Sequence, residues 1–132
     1  MGTLESQVLR VRIERDPHAV YAYCAEPANL HRWASGLGEA LASIDGEWTA
    51  RTEAGAASIR FVPHNDYGVL DHWVRLPDGG EIHVPLRVVR SGDGSEVQLT
   101  LFRQPGMSDE QYAADAEWVL RDLHKLKQLL ED

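Results

Sequence analysis

The sequence predicts an α+β fold in which a curved antiparallel sheet of about seven strands wraps around one long C-terminal helix. Residues 108–132 follow a Pro105-Gly106 break and have the periodicity of one continuous amphipathic helix. Residues 37–104 instead form short runs of alternating apolar and polar side chains separated by turn residues, as antiparallel strands do. A long helix with one apolar stripe needs a surface to pack on, and this sheet is the only candidate.

The first third of the chain predicts one strand and two short helices. Residues 8–14 alternate apolar with polar side chains, which indicates a strand with one face in water. Asp16 and Pro17 mark a helix start, because Asp is a favoured N-cap and proline is tolerated in the first turn. Pro27 ends this helix and begins a second one over residues 28–33.

Six further strands are predicted, each bounded by glycine, proline, Asn or Asp residues that favour turns. They cover residues 40–44, 48–53, 57–62, 69–76, 81–90 and 95–103. In the closing helix, Ser108 and Gln111 have the spacing of a capping box. Its apolar stripe comprises Tyr112, Ala116, Val119, Leu123, Leu126 and Leu130.

The inner face of the sheet follows from side-chain alternation. The even-numbered residues from Ile82 to Val88 share one face with Val97, Leu99 and Leu101. When the same alternation is carried back through a turn at residues 77–80, Asp71, Trp73 and Arg75 fall on the inner face and His72 on the outer one. One extra residue in this turn would invert the assignment.

Composition narrows the function classes. We expect one domain over residues 1–132, with no apolar run of membrane-spanning length and no signal peptide. The net charge of −8 argues against binding of nucleic acid, which requires a basic surface. A single cysteine, Cys24, cannot form an intramolecular disulfide, so we place the protein in the cytoplasm.

The chain resembles the START-related (SRPBCC) superfamily, whose helix-grip fold is shared by birch-pollen-allergen-like proteins and bacterial polyketide cyclase/dehydrase-like domains. Five segments in the same order carry the resemblance: Asp16-Pro17 with Val20-Tyr21, Glu26-Pro27-Ala28-Asn29-Leu30 with Trp33, Tyr67-Gly68-Val69-Leu70-Asp71-His72, Gly92-Asp93-Gly94-Ser95-Glu96-Val97, and the closing Asp122-Leu123 with Leu126-Lys127 and Leu130. The resemblance implies a cavity between sheet and helix. Members bind lipids, hormones, flavonoids, polyketides or quinones, some cyclise or dehydrate polyketides, and others assist a chaperone, so the fold alone does not select a function.

Asp71 is the candidate catalytic residue. A carboxylate facing an apolar cavity would have its pKa raised by desolvation, toward use in general acid/base chemistry. The alternative is that Asp71 pairs with an arginine or accepts backbone hydrogen bonds and only orders the sheet. Arg75 and Arg103 are its predicted partners, and they could equally line the cavity mouth.

The candidate ligand-binding residues combine apolar bulk with single polar atoms. Trp33, Trp73 and Tyr112 can hold a ring and fix it with one hydrogen bond, with ordinary core packing as the alternative. Leu86 and Leu99 complete the predicted lining. The six histidines show no metal-binding spacing, and no cofactor-binding motif is present, so we expect neither a metal nor another cofactor.

Three function classes follow from these observations. The first is binding of a small hydrophobic molecule, polyketide-, lipid- or aromatic-like, which we favour because no second acid or base accompanies Asp71. The second is a polyketide cyclase/dehydratase-like enzyme using Asp71. The third is a protein-interaction module with a filled cavity. Trp118 and Leu129, on a flank outside the main helix stripe, also indicate a candidate homodimer surface.

Overall fold

A computed structural model of the protein describes residues 2–34, 42–44, 47–52 and 55–132. These residues form eight strands and three α-helices in the order β1 Ser6–Ile13, α1 Pro17–Ala25, a 3₁₀ turn Pro27–Asn29, α2 Leu30–Trp33, β2 Ala42–Ile44, β3 Glu47–Thr52, β4 Gly55–Phe61, β5 His72–Arg75, β6 Glu81–Val84, β7 Leu86–Ser91, β8 Gly94–Phe102 and α3 Asp109–Glu131. The α+β class and the long C-terminal helix are confirmed. The predicted ends at Ala40 and Glu53 and the turn Asp45-Gly46 lie outside the described residues.

The strands pair antiparallel in two groups, with the orders β1-β8-β7 and β2-β3-β4-β5-β6. The predicted strand over residues 81–90 is in fact two strands, because Pro85 has no N–H for the ladder. Its carbonyl still accepts a hydrogen bond from the Thr100 N–H at 3.0 Å, so the two groups meet at this proline. The predicted strand over residues 69–76 is likewise shorter, and residues before His72 pair with β7 through a Val69–Arg87 bridge.

A glycine fixes the segment that precedes β5. Gly68 has φ +73°, and a Cβ there would lie 2.2 Å from the Val88 carbonyl oxygen. The Gly68 carbonyl accepts from the Val88 N–H at 2.9 Å, so the two backbones are in direct contact. No other residue type fits this approach without displacing β7.

The register of β5 against β6 is opposite to the predicted one. His72 pairs with Val84 and Val74 with Ile82, which places these even-numbered residues on the inner face. The loop comprises residues 76–80, closed by a 2.7 Å hydrogen bond from the Leu76 N–H to the Gly80 carbonyl, and is therefore one residue longer than assumed. The expected inward orientation of Asp71, Trp73 and Arg75 was wrong for this reason.

The starts of α1 and α3 form as predicted, whereas the second predicted helix begins as the 3₁₀ turn Pro27–Asn29 and is α-helical only over Leu30–Trp33. The Asp16 carboxylate accepts from the His18 N–H at 3.0 Å at the start of α1. At α3, the Ser108 hydroxyl accepts from the Gln111 N–H at 3.1 Å, and the Gln111 side chain accepts from the Ser108 N–H at 2.9 Å. These bonds complete a capping box and satisfy backbone donors that would otherwise lack partners.

Helix α3 packs on β1 and on the core through the predicted stripe. Tyr112, Ala116, Leu123, Leu126 and Leu130 are buried, and Val119 is half-buried. The Lys127 ammonium also donates to the Arg12 carbonyl at 2.7 Å, which fixes the end of the helix to β1. No helix in the described part of the chain is long and apolar enough to cross a membrane.

Candidate functional site

An apolar cavity of about 90 Å³ lies between the sheet and helices α2 and α3. Strands β4, β5, β7 and β8 supply its floor, and the two helices cover it. Its lining is Leu30, Trp33, Ala34, Ile59, Phe61, His72, Val74, Leu86, Leu99, Val119, Asp122 and Leu123. Leu86 and Leu99 face each other across the β7–β8 ladder. The cavity is therefore a space enclosed by the sheet and the gripped helix, with three polar side chains in an otherwise apolar wall.

Trp33 is the first of these polar side chains. It ends α2 and is 4% exposed, and its indole Nε1–H has no hydrogen-bond partner. A buried donor without an acceptor costs about 1–3 kcal/mol relative to a paired one. Among the described residues this is the only buried side-chain polar atom left in that state, and it belongs to a residue that lines the cavity.

His72 is the second polar side chain of the cavity wall. Its Nδ1 lies 3.0 Å from the Leu70 carbonyl oxygen, which can only accept, so Nδ1 carries the proton. Burial lowers the pKa of His72, an effect larger than the opposing one of the Leu70 hydrogen bond. The ring is therefore neutral at pH 7, and its Nε2 remains an acceptor.

Asp122 is the third polar side chain of the cavity wall, and it is not among the site residues predicted from the sequence. It lies three residues after Val119 and four before Leu126, both on the apolar stripe of α3. A carboxylate at this spacing is a recognisable signal that one polar group interrupts the inner face. His72 was missed for a different reason, the inverted register of β5.

Asp71 lies outside this cavity. Its side chain is 12% exposed and receives hydrogen bonds from the Leu86 N–H at 2.9 Å and from two nitrogens of Arg87 at 2.9 and 2.8 Å. The Arg87 hydrogen bond holds the pKa of Asp71 below its ordinary value and outweighs desolvation, which acts in the opposite direction. The expected rise in pKa was wrong, and the geometry matches the alternative in which Asp71 orders the sheet.

Two further predicted site residues lie on the outer face. The Trp73 ring stacks on His83, with ring centroids 5.0 Å apart, and the Arg60 guanidinium lies 5.1 Å from the Trp73 ring centroid. Arg75 is exposed and forms an ion pair with Glu81 at 3.7 Å. These contacts are cross-strand pairs that stabilise the sheet, and neither residue reaches the cavity.

Tyr112 and Arg103 lie at the N-terminal end of α3, away from the cavity lining. The Tyr112 hydroxyl donates to the Leu101 carbonyl at 3.0 Å. Arg103 forms ion pairs with Asp109 at 2.7 Å and Glu5 at 3.2 Å, and these carboxylates raise its pKa. Of the predicted site residues, Trp33, Leu86 and Leu99 are the ones that the structure brings together at the cavity.

Comparison with solved structures identifies the fold. The chain superposes on the Aha1 dimer structure from Colwellia psychrerythraea with a TM-score of 0.73 and 15% identity, covering 97% of each chain. DynU16, a protein of the dynemicin biosynthetic locus, matches with a TM-score of 0.74 and 16% identity over 96% of this chain and 47% of DynU16. Ara h 8.0201 matches with a TM-score of 0.70 and 8% identity over 96% and 97%. The chain has the helix-grip fold that these structures share. No family model matches the sequence, and no curated protein matches it significantly.

Two further depressions lie near the helix-grip cavity, which we call the inner cavity. The first, which we call the outer cavity, has a volume of about 240 Å³. It is lined by α1, the Pro27 turn, Trp48 and the end of β4, and it shares Phe61 with the inner cavity. A larger one, about 580 Å³, lies on the outside against β7, where Tyr67 is 84% exposed. The 580 Å³ depression is bounded by exposed side chains that leave it open to water, so we assign the candidate site to the inner cavity.

Within the described residues no group of three His, Cys, Asp or Glu side chains could hold a metal ion.

Proposed function

We propose that the protein binds a small, uncharged, mainly apolar molecule that carries a hydrogen-bond acceptor. The observation that supports this most directly is the unpartnered Nε1–H of Trp33 at the wall of the cavity. A ligand oxygen placed against this donor would remove the cost of leaving it unpaired, about 1–3 kcal/mol. The neutral His72 offers a complementary acceptor, so a hydroxyl group could satisfy both residues.

The charge of the lining disfavours an anionic ligand. Asp122 and neutral His72 supply no positive group, and the remaining side chains of the lining are apolar apart from Trp33. An anion would lose its hydration without gaining a cationic partner, which is costly in apolar surroundings.

The cavity volume restricts ligand size. At about 90 Å³ it is smaller than the ~150 Å³ apolar cavity that holds benzene in an engineered protein. Among polyketide-, lipid- and aromatic-like ligands, we therefore propose molecules that place a single ring in this space, with small movements of the wall. We place this activity in the cytoplasm, where the single thiol of Cys24 would stay reduced.

Phenol and toluene form a matched ligand pair for the test, because phenol differs from toluene by a hydroxyl in place of a methyl. Calorimetric titration of the wild type should detect phenol binding, and Trp33→Phe should weaken it about 2- to 10-fold, the equivalent of one net hydrogen bond. Toluene affinity should change by less than about twofold. Trp118→Phe, a substitution at an exposed tryptophan, is the control and should alter neither. Absence of phenol binding, or an equal loss for both ligands in Trp33→Phe, would contradict the proposal.

A second candidate function is proton transfer of the cyclase/dehydratase type, now placed on His72 instead of Asp71. Two observations favour it: the Nε2 of neutral His72 is an acceptor, and Asp122 lines the same apolar space. An enolisable ketone such as cyclopentanone should exchange its α-protons faster in D₂O with the protein, and His72→Gln should abolish the acceleration. If the ketone binds but its proton exchange is not accelerated, the catalytic candidate fails and only the binding function remains.

We also propose a weak homodimer with Trp118 at its centre. Trp118 is 48% exposed, whereas Leu129 packs against the core and no longer contributes to the predicted patch. The Aha1 structure of the same fold is described as a dimer. Light scattering at high micromolar concentration should show association that Trp118→Ser removes, and a strictly monomeric wild type would refute the homodimer.

If no ligand binds, the protein-interaction module becomes the better proposal for the function.

A further inference from the structure

We propose that Phe61 is the specificity-determining residue of this site: its ring separates the inner cavity from the 240 Å³ outer cavity, and its rotation joins them for ligands longer than one ring. This inference rests on the proposed binding function and names the ligand class more narrowly. The observation behind it is that Phe61 lines both spaces.

The position of Phe61 in the chain makes its ring a suitable partition. It is the last residue of β4, where its backbone pairs with His72, and its side chain is half-buried. Its ring centroid lies 4.9 Å from that of His72, at a tilt of 39°. The backbone is thus fixed by the ladder, while the side chain projects between the two cavities.

Empty space on both sides weakens the packing of this ring. A closely packed aromatic ring is held by many small dispersion contacts, and each void removes the contacts on that side. Phe61 therefore resists a change of rotamer less than a ring enclosed on all sides, such as a core residue. The chain after Phe61 also leaves the strand, since residues 62–65 belong to no helix or strand.

The joined cavity would have the size of an ordinary ligand pocket. Each space alone is below the ~300 Å³ lower limit of such pockets, and the two together exceed it. The outer part is bordered by Pro27, Trp48 and Leu70, and the Tyr21 hydroxyl oxygen there accepts a hydrogen bond from the Asn65 N–H at 3.1 Å. The geometry favours a phenol-like ring held at Trp33 and extended by a second, apolar ring that passes Phe61 toward Trp48.

Phenol and 2-naphthol test this inference, because the second ring of 2-naphthol exceeds the inner cavity. Phe61→Leu and Phe61→Ala should raise the affinity for 2-naphthol by about tenfold, since the bound state no longer requires displacement of the Phe61 ring. Phenol should show no such gain, because its single ring does not pass Phe61, so the ratio of the two affinities is the readout. Phe102→Leu is the matched control: it alters the other phenylalanine of the chain, which lies near His83 on the outer face, and should change neither affinity. Tryptophan fluorescence provides a second readout. 2-Naphthol but not phenol should quench the emission of Trp48, which is the part of the fluorescence that Trp48→Phe removes.

The outcomes separate this inference from the binding function. If phenol binds but neither Phe61 variant favours 2-naphthol, the role of Phe61 is overturned while the binding function stands. If Phe102→Leu gives the same gain, general loosening of the fold explains the effect and the inference also fails. If neither ligand binds to any variant, the proposed function itself fails. Phe61→Leu keeps the test valid should Phe61→Ala be too unstable to purify.

Discussion

Replacing Asp71 with alanine should destabilise the fold without affecting ligand binding. The substitution leaves the buried Leu86 N–H without its acceptor, which costs about 1–3 kcal/mol. It also removes the ion pair with Arg87, which contributes only about 0–1 kcal/mol because the Arg87 side chain is 49% exposed and its charge is screened by water. The expected loss in the free energy of unfolding is therefore about 1–4 kcal/mol, most of it from one backbone donor.

Asp71→Asn separates the two contributions, since the amide oxygen can still accept from Leu86 while the negative charge is gone. Urea unfolding at pH 7 should show a loss of at most about 1 kcal/mol for Asp71→Asn and a clearly larger one for Asp71→Ala. The folded-state pKa of Asp71 lies below its unfolded value, so its charge stabilises the fold above about pH 4 and this contribution is lost as the pH falls further. The difference between wild type and Asp71→Asn should therefore shrink below pH 4. Equal losses for both variants at pH 7, or phenol binding lost in Asp71→Asn with the fold intact, would refute this role.

Three further predictions concern the core, the cavity histidine and the helix start. Leu123→Ala should cost about 2–5 kcal/mol by denaturant titration, because Leu123 is fully buried and its truncation enlarges the cavity; a loss below ~1 kcal/mol would contradict the packing of α3. The lowered pKa of His72 means that the unfolded chain binds its proton more readily, so stability should fall as the pH drops below about 6.5, and His72→Gln should flatten that part of the profile. Ser108→Ala should cost about 1 kcal/mol by urea unfolding, whereas Asp109→Asn at the next position should cost less, because it keeps the capping box.

The sequence was sufficient for the features that depend on local chemistry. The Asp16-Pro17 start of α1, the Ser108–Gln111 capping box and the stripe of α3 each require only side chains within a few residues of one another. Each of these features can therefore be recognised from a short stretch of sequence. Trp33 also belongs to this group, since its position at the end of the second short helix places it on the inner side with Leu30.

The site depended on the length of one turn, and that length could not be derived from composition. The segment Pro77-Asp78-Gly79-Gly80 contains turn-forming residues in excess, so a four-residue and a five-residue loop are both compatible with it. The structure closes the loop at Leu76 and Gly80, and this one residue exchanges the two faces of β5. Asp71 and His72 are neighbours, so the inversion replaced the cavity histidine with a carboxylate in the predicted site.

The burial pattern of β5 could have selected the correct register on energetic grounds. In the predicted register, Arg75 would enter the core opposite apolar residues while Val74 faced water, an arrangement that loses apolar burial and leaves a charge without water. In the observed register, Val74 and His72 join the cavity, Arg75 reaches Glu81 in solvent, and Trp73 stacks between His83 and Arg60. Of the neighbours Asp71 and His72, the inner face accepts the histidine, because burial lowers its pKa and leaves the ring neutral at pH 7, whereas Asp71 keeps its charge because it is paired outside the cavity. The same physics that decides the register therefore also decides which of these two titratable neighbours can contact a ligand.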